Sequence, residues 1–253
     1  IFGDEAVLFS RRLKKAAVVV GKKRTENLLY YIDKLKPDVV LLDDGLQHLQ
    51  LKRSLNIVLF DATMNLSRLQ VAPLGYLREG LSALKDADAV VIGRVDQVSE
   101  GQVQALTKTL APYISALVPV STMIYRPTRL LSTSYQEIFS VNENVNDMKN
   151  KKVVALAGIA TPESFFKTLR GIGLEIIAQE SFPDHHEFKY EEIARVVELA
   201  EKSDAWVLTT EKDIVKIRRL FDSPRILFLE IAIQFITGEE ELLNLVYKTL
   251  DVV

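Results

Sequence analysis

This sequence predicts an α/β fold with mainly parallel sheets, and three observations carry the prediction. Short runs rich in apolar β-branched residues recur along most of the chain. Stretches with helical periodicity fall between them. The runs are continuous rather than alternating, as in strands that helices bury on both faces.

In chain order, the first strand candidates are Val18-Val19-Val20, Val39-Val40-Leu41-Leu42, Ile57-Val58-Leu59-Phe60 and Ala89-Val90-Val91-Ile92. Then come Val153-Val154-Ala155-Leu156, Ile176-Ile177, Trp206-Val207-Leu208 and Ile226-Leu227-Phe228-Leu229. The spacing predicts helices over 164–170, 190–201 and 211–220. In the second of these, Ile193, Val196, Val197 and Ala200 recur at i, i+3, i+4 and i+7 and define one buried face. The pattern breaks across 125–150, where Arg126-Pro127-Thr128 precedes the polar run Asn142-Glu143-Asn144-Val145-Asn146-Asp147. It restarts at Val153. The expected division is a first domain over 1–125, a linker over 126–150 with strand character nearby at 118–124, and a second α/β domain over 151–253.

Composition narrows the function. The 253 residues are 48% hydrophobic and 26% charged, which is globular rather than disordered or fibrous. A net charge of −2 argues against a generally basic nucleic-acid-binding surface. The absence of cysteine excludes disulfides, thiolate metal sites and a cysteine nucleophile. No run of apolar residues is long enough for a helix to span a bilayer.

The strongest local signal is Val39-Val40-Leu41-Leu42-Asp43-Asp44-Gly45. It has the form of a Walker B strand, which would deliver carboxylates to the carboxyl edge of a parallel sheet, where an Asp can hold Mg²⁺. It has equally the form of an acidic strand end entering a turn. Leu46-Gln47-His48 follows directly. The other two of the three histidines sit in Phe182-Pro183-Asp184-His185-His186, again after a strand candidate. Asp beside His is the pairing that orients an imidazole and raises its basicity.

Four further features have two readings each. Gly3-Asp4-Glu5 reads first as a helix N-terminus, where acids favour the macrodipole. Arg78-Glu79, after Ala72-Pro73-Leu74-Gly75, is either a phosphate- and metal-binding loop or a solvated ion pair. Thr209-Thr210-Glu211-Lys212-Asp213 closes a strand and opens a helix, so capping is the simpler role, and contact of Thr210 and Lys212 with a nucleotide the other. The basic clusters Arg11-Arg12 to Lys14-Lys15 and Lys22-Lys23-Arg24 are solvated faces or contacts to anionic lipid or phosphate. No G-x-x-x-x-G-K-[ST] occurs. The sequence opens at Ile1 without a Met and without a signal-peptide pattern, so a fragment of a phosphate-loop protein is expected.

Together and in order, these elements resemble the tetraacyldisaccharide 4'-kinase family, the lipid A 4'-kinases. The matching stretches are Gly3-Asp4-Glu5, the Val18-Val19-Val20-Gly21 strand with Arg24, residues 43–48, Pro73-Leu74-Gly75-Tyr76-Leu77-Arg78-Glu79, Ala157-Gly158-Ile159, and residues 182–186 and 209–213. The resemblance implies two α/β domains, the first P-loop NTPase-like, joined by a short β linker with ATP in the cleft. It implies transfer of the γ-phosphate of ATP to the 4'-hydroxyl of a tetraacylated glucosamine disaccharide 1-phosphate. It also implies a peripheral position on the cytoplasmic face of an inner membrane, or an endosymbiont-derived organelle such as a mitochondrion in a eukaryote. By resemblance, Asp4 pairs with His185 as the base on the sugar hydroxyl, with Asp184 beside it. Asp43, Asp44 and Glu79 are the acids around Mg²⁺. Arg24, Asp44, Gln47, His48, Arg78, Thr210 and Lys212 line the nucleotide side.

The sequence departs from the family pattern where the phosphate loop and a membrane-associating N-terminal helix are expected, and Gly80 stands where Pro is common. The expectation is that residues 1–253 alone are inactive. Two rivals are a metal-dependent phosphoesterase, on Asp184-His185-His186, and a non-catalytic lipid-binding relative. The first needs early Asp-x-Asp clusters, which Asp43-Asp44 does not supply.

Overall fold

A computed structural model describes residues 3–48, 50–141 and 149–251. The polar run expected to mark a linker, 142–147, lies outside the described residues. The chain divides into two compact units, each assembled from separate stretches: Ile1–Val20 with Arg126–Ala232, and Gly21–Tyr125 with Ile233–Val253.

The first unit carries helix α1 (Asp4–Arg12), strands β4 (Glu137–Ser140), β5 (Lys152–Ala157), β6 (Glu175–Ser181) and β7 (Trp206–Thr210), and parts of β3 (Val120–Ser132) and β8 (Ile226–Thr237). Its strand order is β4-β3-β8-β7-β5-β6. Pairing of β5 with β6 and β7, and of β7 with β8, is parallel, and that of β4 with β3 is antiparallel. The predicted α/β class with mainly parallel strands is what the structure has.

Continuous apolar strands occur because both sheet faces are covered. Val154 and Leu156 of β5 face Ile193, Val196, Val197 and Ala200 of helix α5 (Tyr190–Lys202), and Ile214 and Ile217 of α6 (Glu211–Ile217). Val153, Ala155 and Ala157 face Phe165, Phe166 and Leu169 of α4 (Pro162–Gly171). Successive residues therefore serve opposite cores, as the twofold strand period requires. The α5 face expected from its spacing is buried throughout, with Ile193 and Ala200 fully so. The polar ends fix the helix boundaries. Pro162 opens α4, Glu192 accepts from the Lys189 amide at 2.8 Å to cap α5, and Thr210 caps α6.

The second unit holds α2 (Arg24–Leu35), β1 (Ile57–Asp61), β2 (Ala89–Gly93), α3 (Glu100–Leu110) and α7 (Glu239–Thr249). The pairs β1–β2 and β2–β3 are parallel. Leu106 and Leu110 of α3 pack with Val90, Ile92 and Phe60, while Leu242 of α7 joins Ala89, Val91 and Met123.

Two expected strands are absent. Val18-Val19-Val20 and Val39-Val40-Leu41-Leu42 run without a strand partner among the described residues. Leu41 is 88% exposed. A strand is stabilised by its ladder and cross-strand pairs, and an apolar run with no described strand neighbour lacks both. Elsewhere the apolar runs at 57–60, 89–92, 153–156, 176–177, 206–208 and 226–229 all fall in strands. No helix among the described residues is long and apolar enough to cross a membrane.

Candidate active site

In the first unit, the turn after β6 meets the start of α1 and one face of α6. Asp4 is the first residue of α1, with Gly3 at the cap position, so the expected helix N-terminus is present. Its side chain is only 8% exposed. His185 sits on the turn with a left-handed backbone, φ +59°, and its N–H donates to Asp184 Oδ1 at 3.0 Å. That turn presents His185 Nδ1 3.5 Å from Asp4 Oδ2.

Two lysines complete the cluster. Lys212 and Lys216 stand four apart on α6 and share a face. Lys212 Nζ lies 3.1 Å from Asp184 Oδ1, 3.5 Å from Glu5 Oε1 and 3.4 Å from His185 Nε2. Lys216 Nζ lies 3.1 Å from Asp4 Oδ2 and donates to the His186 carbonyl at 3.1 Å. Burial pushes the Asp4 carboxyl up, but the bond and charge of Lys216, helped by Lys212 and His185, hold it below the usual aspartate range. Burial pushes the Lys212 ammonium down, yet Asp184, Asp4 and Glu5 carry it above the ordinary lysine value. An exposed imidazole facing a buried, ionised carboxylate is the arrangement of a general base.

A buried, hydrogen-bonded carboxylate lies next to Lys212 in sequence. Asp213, fully buried, accepts from the Gly158 amide at 2.9 Å and from the Thr210 hydroxyl at 2.7 Å through Oδ2. Asp213 thus ties the exit of β5 to the start of α6. Burial pushes its carboxyl up, against the hydrogen bonds of Gly158 and Thr210. A side chain at Gly158 would stand 3.1 Å from Phe188 Cζ and 3.2 Å from Asp213 Oδ1, so glycine suits this close approach. His186 faces away from the cluster. It stacks on Phe182 at 4.7 Å and pairs with Glu192 Oε2 at 3.0 Å.

The basic cluster at 11–15 is partly tied down. Arg12 Nε and Nη2 grip Glu211 at 2.5 and 2.7 Å, and Arg11 lies over the Tyr135 ring at 4.8 Å. Both line an open groove of about 880 Å³ with Leu8, Arg129 and Ile231. Burial raises the Glu211 carboxyl, and Arg12 opposes it.

The second unit gathers the other predicted residues. Arg24 donates to the carbonyls of Asp43 and Asp44, and the Asp44 carboxylate pairs with Arg78. Asp44 has φ +52°, and a side chain at Gly45 would overlap Leu42. Arg53 holds the following turn by donating to the carbonyls of Gly45 and His48, each at 2.9 Å. Gln47, His48 and Glu79 are half-buried in this unit. Among the described residues no three His, Cys, Asp or Glu stand together as a metal cage. A Mg²⁺ carried on nucleotide phosphates needs only one or two carboxylates, and Asp43, Asp44 and Glu79 are donors of the right chemistry for that.

The structure therefore brings Asp4, Asp184, His185 and Lys212 together in one unit, and Arg24, Asp43, Asp44 and Arg78 in the other. Thr210 performs the capping role, with its hydroxyl spent on Asp213. Sequence reasoning missed Lys216. Its i+4 spacing from Lys212, on a helix that opens at Thr209-Thr210-Glu211, was the available signal.

The model of one protein family, described as tetraacyldisaccharide-1-P 4'-kinase, matches residues 1–251. A tetraacyldisaccharide 4'-kinase of Anaeromyxobacter dehalogenans is 36% identical over 216 residues, 85% of this chain and 56% of the relative. One from Halothermothrix orenii is 32% identical over 222 residues, 86% of this chain and 58% of the relative. The chain thus spans just over half the length of these curated relatives. Among solved structures, the "apo" form of LpxK from Aquifex aeolicus in complex with ATP superposes with a TM-score of 0.70 at 27% identity. The match covers 98% of this chain and 69% of that one.

Proposed function

The chain belongs to the tetraacyldisaccharide-1-P 4'-kinase family, and from that premise we propose that it serves ATP-dependent phosphorylation of the 4'-hydroxyl of a tetraacylated glucosamine disaccharide 1-phosphate, a step of lipid A biosynthesis. The observation that carries the reading is the Asp4–His185 pair, whose buried carboxylate also faces Lys216 and whose imidazole also faces Lys212. Neither rival reading gains support from the family match.

His185 accepts the proton of the sugar hydroxyl as that oxygen bonds to the γ-phosphorus and the bond from the γ-phosphorus to the bridging oxygen of ADP breaks. Asp4 orients the imidazole and stabilises it once charged. With Nδ1 toward Asp4, Nε2 is the accepting nitrogen, and it faces Lys212. Lys212, already 3.1 Å from Asp184 Oδ1, must therefore draw away from Nε2 when the hydroxyl arrives.

In the second unit, Arg78 and Arg24 suit phosphate oxygens. Asp43, Asp44 and Glu79 suit a Mg²⁺ that offsets charge on the phosphates. Gln47 and His48 line the same side. ATP as the donor is supported by the ATP complex of the similar LpxK. An acylated acceptor and ATP as donor support a peripheral position at a membrane surface, on the cytoplasmic face.

The test is a transfer assay on the product of the complete gene, with γ-labelled ATP and the disaccharide 1-phosphate. Label is expected on the 4'-oxygen and is expected to be lost in His185→Ala. Label elsewhere, or unchanged transfer in the variant, overturns the reading.

A further inference from the structure

Lys216 makes two contacts that nothing in the proposed chemistry requires of it. Its ammonium reaches Asp4 Oδ2 at 3.1 Å, the same oxygen that His185 Nδ1 faces at 3.5 Å. It also donates to the carbonyl of His186 at 3.1 Å, on the turn that carries His185. One side chain of α6 thus grips both the residue that opens α1 and the turn after β6. The lysine side chain is only 19% exposed, and Asp4 is less exposed still.

We propose that Lys216 is a positioning residue for the Asp4–His185 pair, fixing their separation and limiting how far Asp4 can stabilise a charged imidazole. This rests on the reading of His185 as the base. Asp4 Oδ2 has two cationic claimants, and the lysine is the nearer. Both meet it as ion pairs, at 3.1 and 3.5 Å, so the lysine shares the carboxylate charge that His185 faces.

Other charges face the imidazole. Asp184 comes from its own turn, 3.7 Å from Nε2, and Lys212 from α6, which also meets Glu5 of α1. Lys212 contacts the opposite ring nitrogen and leaves Asp4 Oδ2 to Lys216. The two lysines therefore have separable tasks. Removing Lys216 frees Asp4 for His185 and takes a positive charge away from it, and both changes favour the protonated ring. Removing Lys212 leaves the Asp4 contact in place.

The experiment has two arms. Imidazole proton resonances report the titration of His185 directly, and the chain has only three histidines to assign. Lys216→Met is expected to move the His185 midpoint upward, with Lys216→Arg close to the parent. In the transfer assay, Lys216→Met is expected to lower kcat about 10- to 100-fold, as small misplacements of reacting groups do, and to move the acid limb of the pH profile upward. KM for ATP should hold, and Lys216→Arg should recover most of the rate. In an Asp4→Asn background, Lys216→Met should add little.

An unmoved His185 midpoint overturns the inference, as does a loss that adds in full to that of Asp4→Asn. If Lys216→Met does not fold, Lys216→Gln keeps a donor for the His186 carbonyl and carries the same test. If the parent transfers no phosphate, the proposed function fails. The resonance arm still decides whether Lys216 governs His185.

Discussion

His185 Nδ1 and Asp4 Oδ2 stand 3.5 Å apart, inside ion-pair range and just beyond a made hydrogen bond. Lys216 shares the same carboxylate oxygen as an ion pair at 3.1 Å. The pair is poised to tighten when the ring takes up a proton, which is when a base needs its partner most.

Asp4→Asn keeps the size of the side chain and removes its charge. Transfer is expected to fall by about 10²- to 10⁴-fold, the range for disabling the orienting acid of such a pair. Stability should depend on pH as well. The folded state holds the Asp4 carboxyl below its ordinary value. Its stabilising contribution is therefore complete above the ordinary aspartate range and disappears as pH falls through the folded value. Denaturation curves of parent and variant should converge in acid; a gap that persists there refutes the assignment.

Asp213 gives the opposite sign. Burial raises its carboxyl in the folded state. The ionised form then works against folding at neutral pH, and stability attributable to it should grow as pH falls from neutral toward the ordinary aspartate range. Asp213→Asn should flatten that trend. Asp213→Ala should cost about 1–3 kcal/mol, since the Gly158 amide and the Thr210 hydroxyl lose their buried acceptor. Urea titrations at several pH values measure both.

The two adjacent histidines should separate stability from activity. His186 stacks on Phe182, meets Phe188 edge-on and pairs with Glu192, holding that carboxyl low. His186→Ala should lower stability by about 1–3 kcal/mol. His185 is 58% exposed, so His185→Ala should leave the thermal midpoint nearly unchanged while transfer is lost. Paired melting and transfer measurements decide; equal destabilisation by both variants would remove the distinction.

Arg78 and Asp44 form an exposed pair, 67% and 53% accessible. A double-mutant cycle on unfolding should give a coupling of only about 0.2–1 kcal/mol. If the pair exists to meet phosphate and Mg²⁺, each single alanine variant should cut transfer at least tenfold with little loss of stability. Transfer losses that merely track stability would make it a surface ion pair.

Much of this was legible from particular residues. Val153 to Leu156 reads as a strand buried on both sides because its neighbours serve two different cores. Thr210 before Glu211 and Asp213 reads as a helix cap because the side chains have no better local use. His185 reads as special because an Asp precedes it. The apolar run at 39–42 misled, since an apolar pattern specifies a strand only where a neighbouring strand completes the ladder. Lys216 showed in the sequence only its spacing from Lys212. Its meaning depends on Asp4, at nearly the other end of the chain, and no local spacing encodes that meeting.

That distance has a consequence for biosynthesis. The first unit takes α1 from one end of the chain and everything it packs against from beyond Tyr125. At about 5–20 residues per second, Asp4 leaves the ribosome on the order of ten to forty seconds before Lys216 does. The second unit's β1, β2 and α3 are made in between. The contact between Asp4 and Lys216 can form only once α6 has been made, and a nascent chain halted before α6 carries the acid without the helix that faces it.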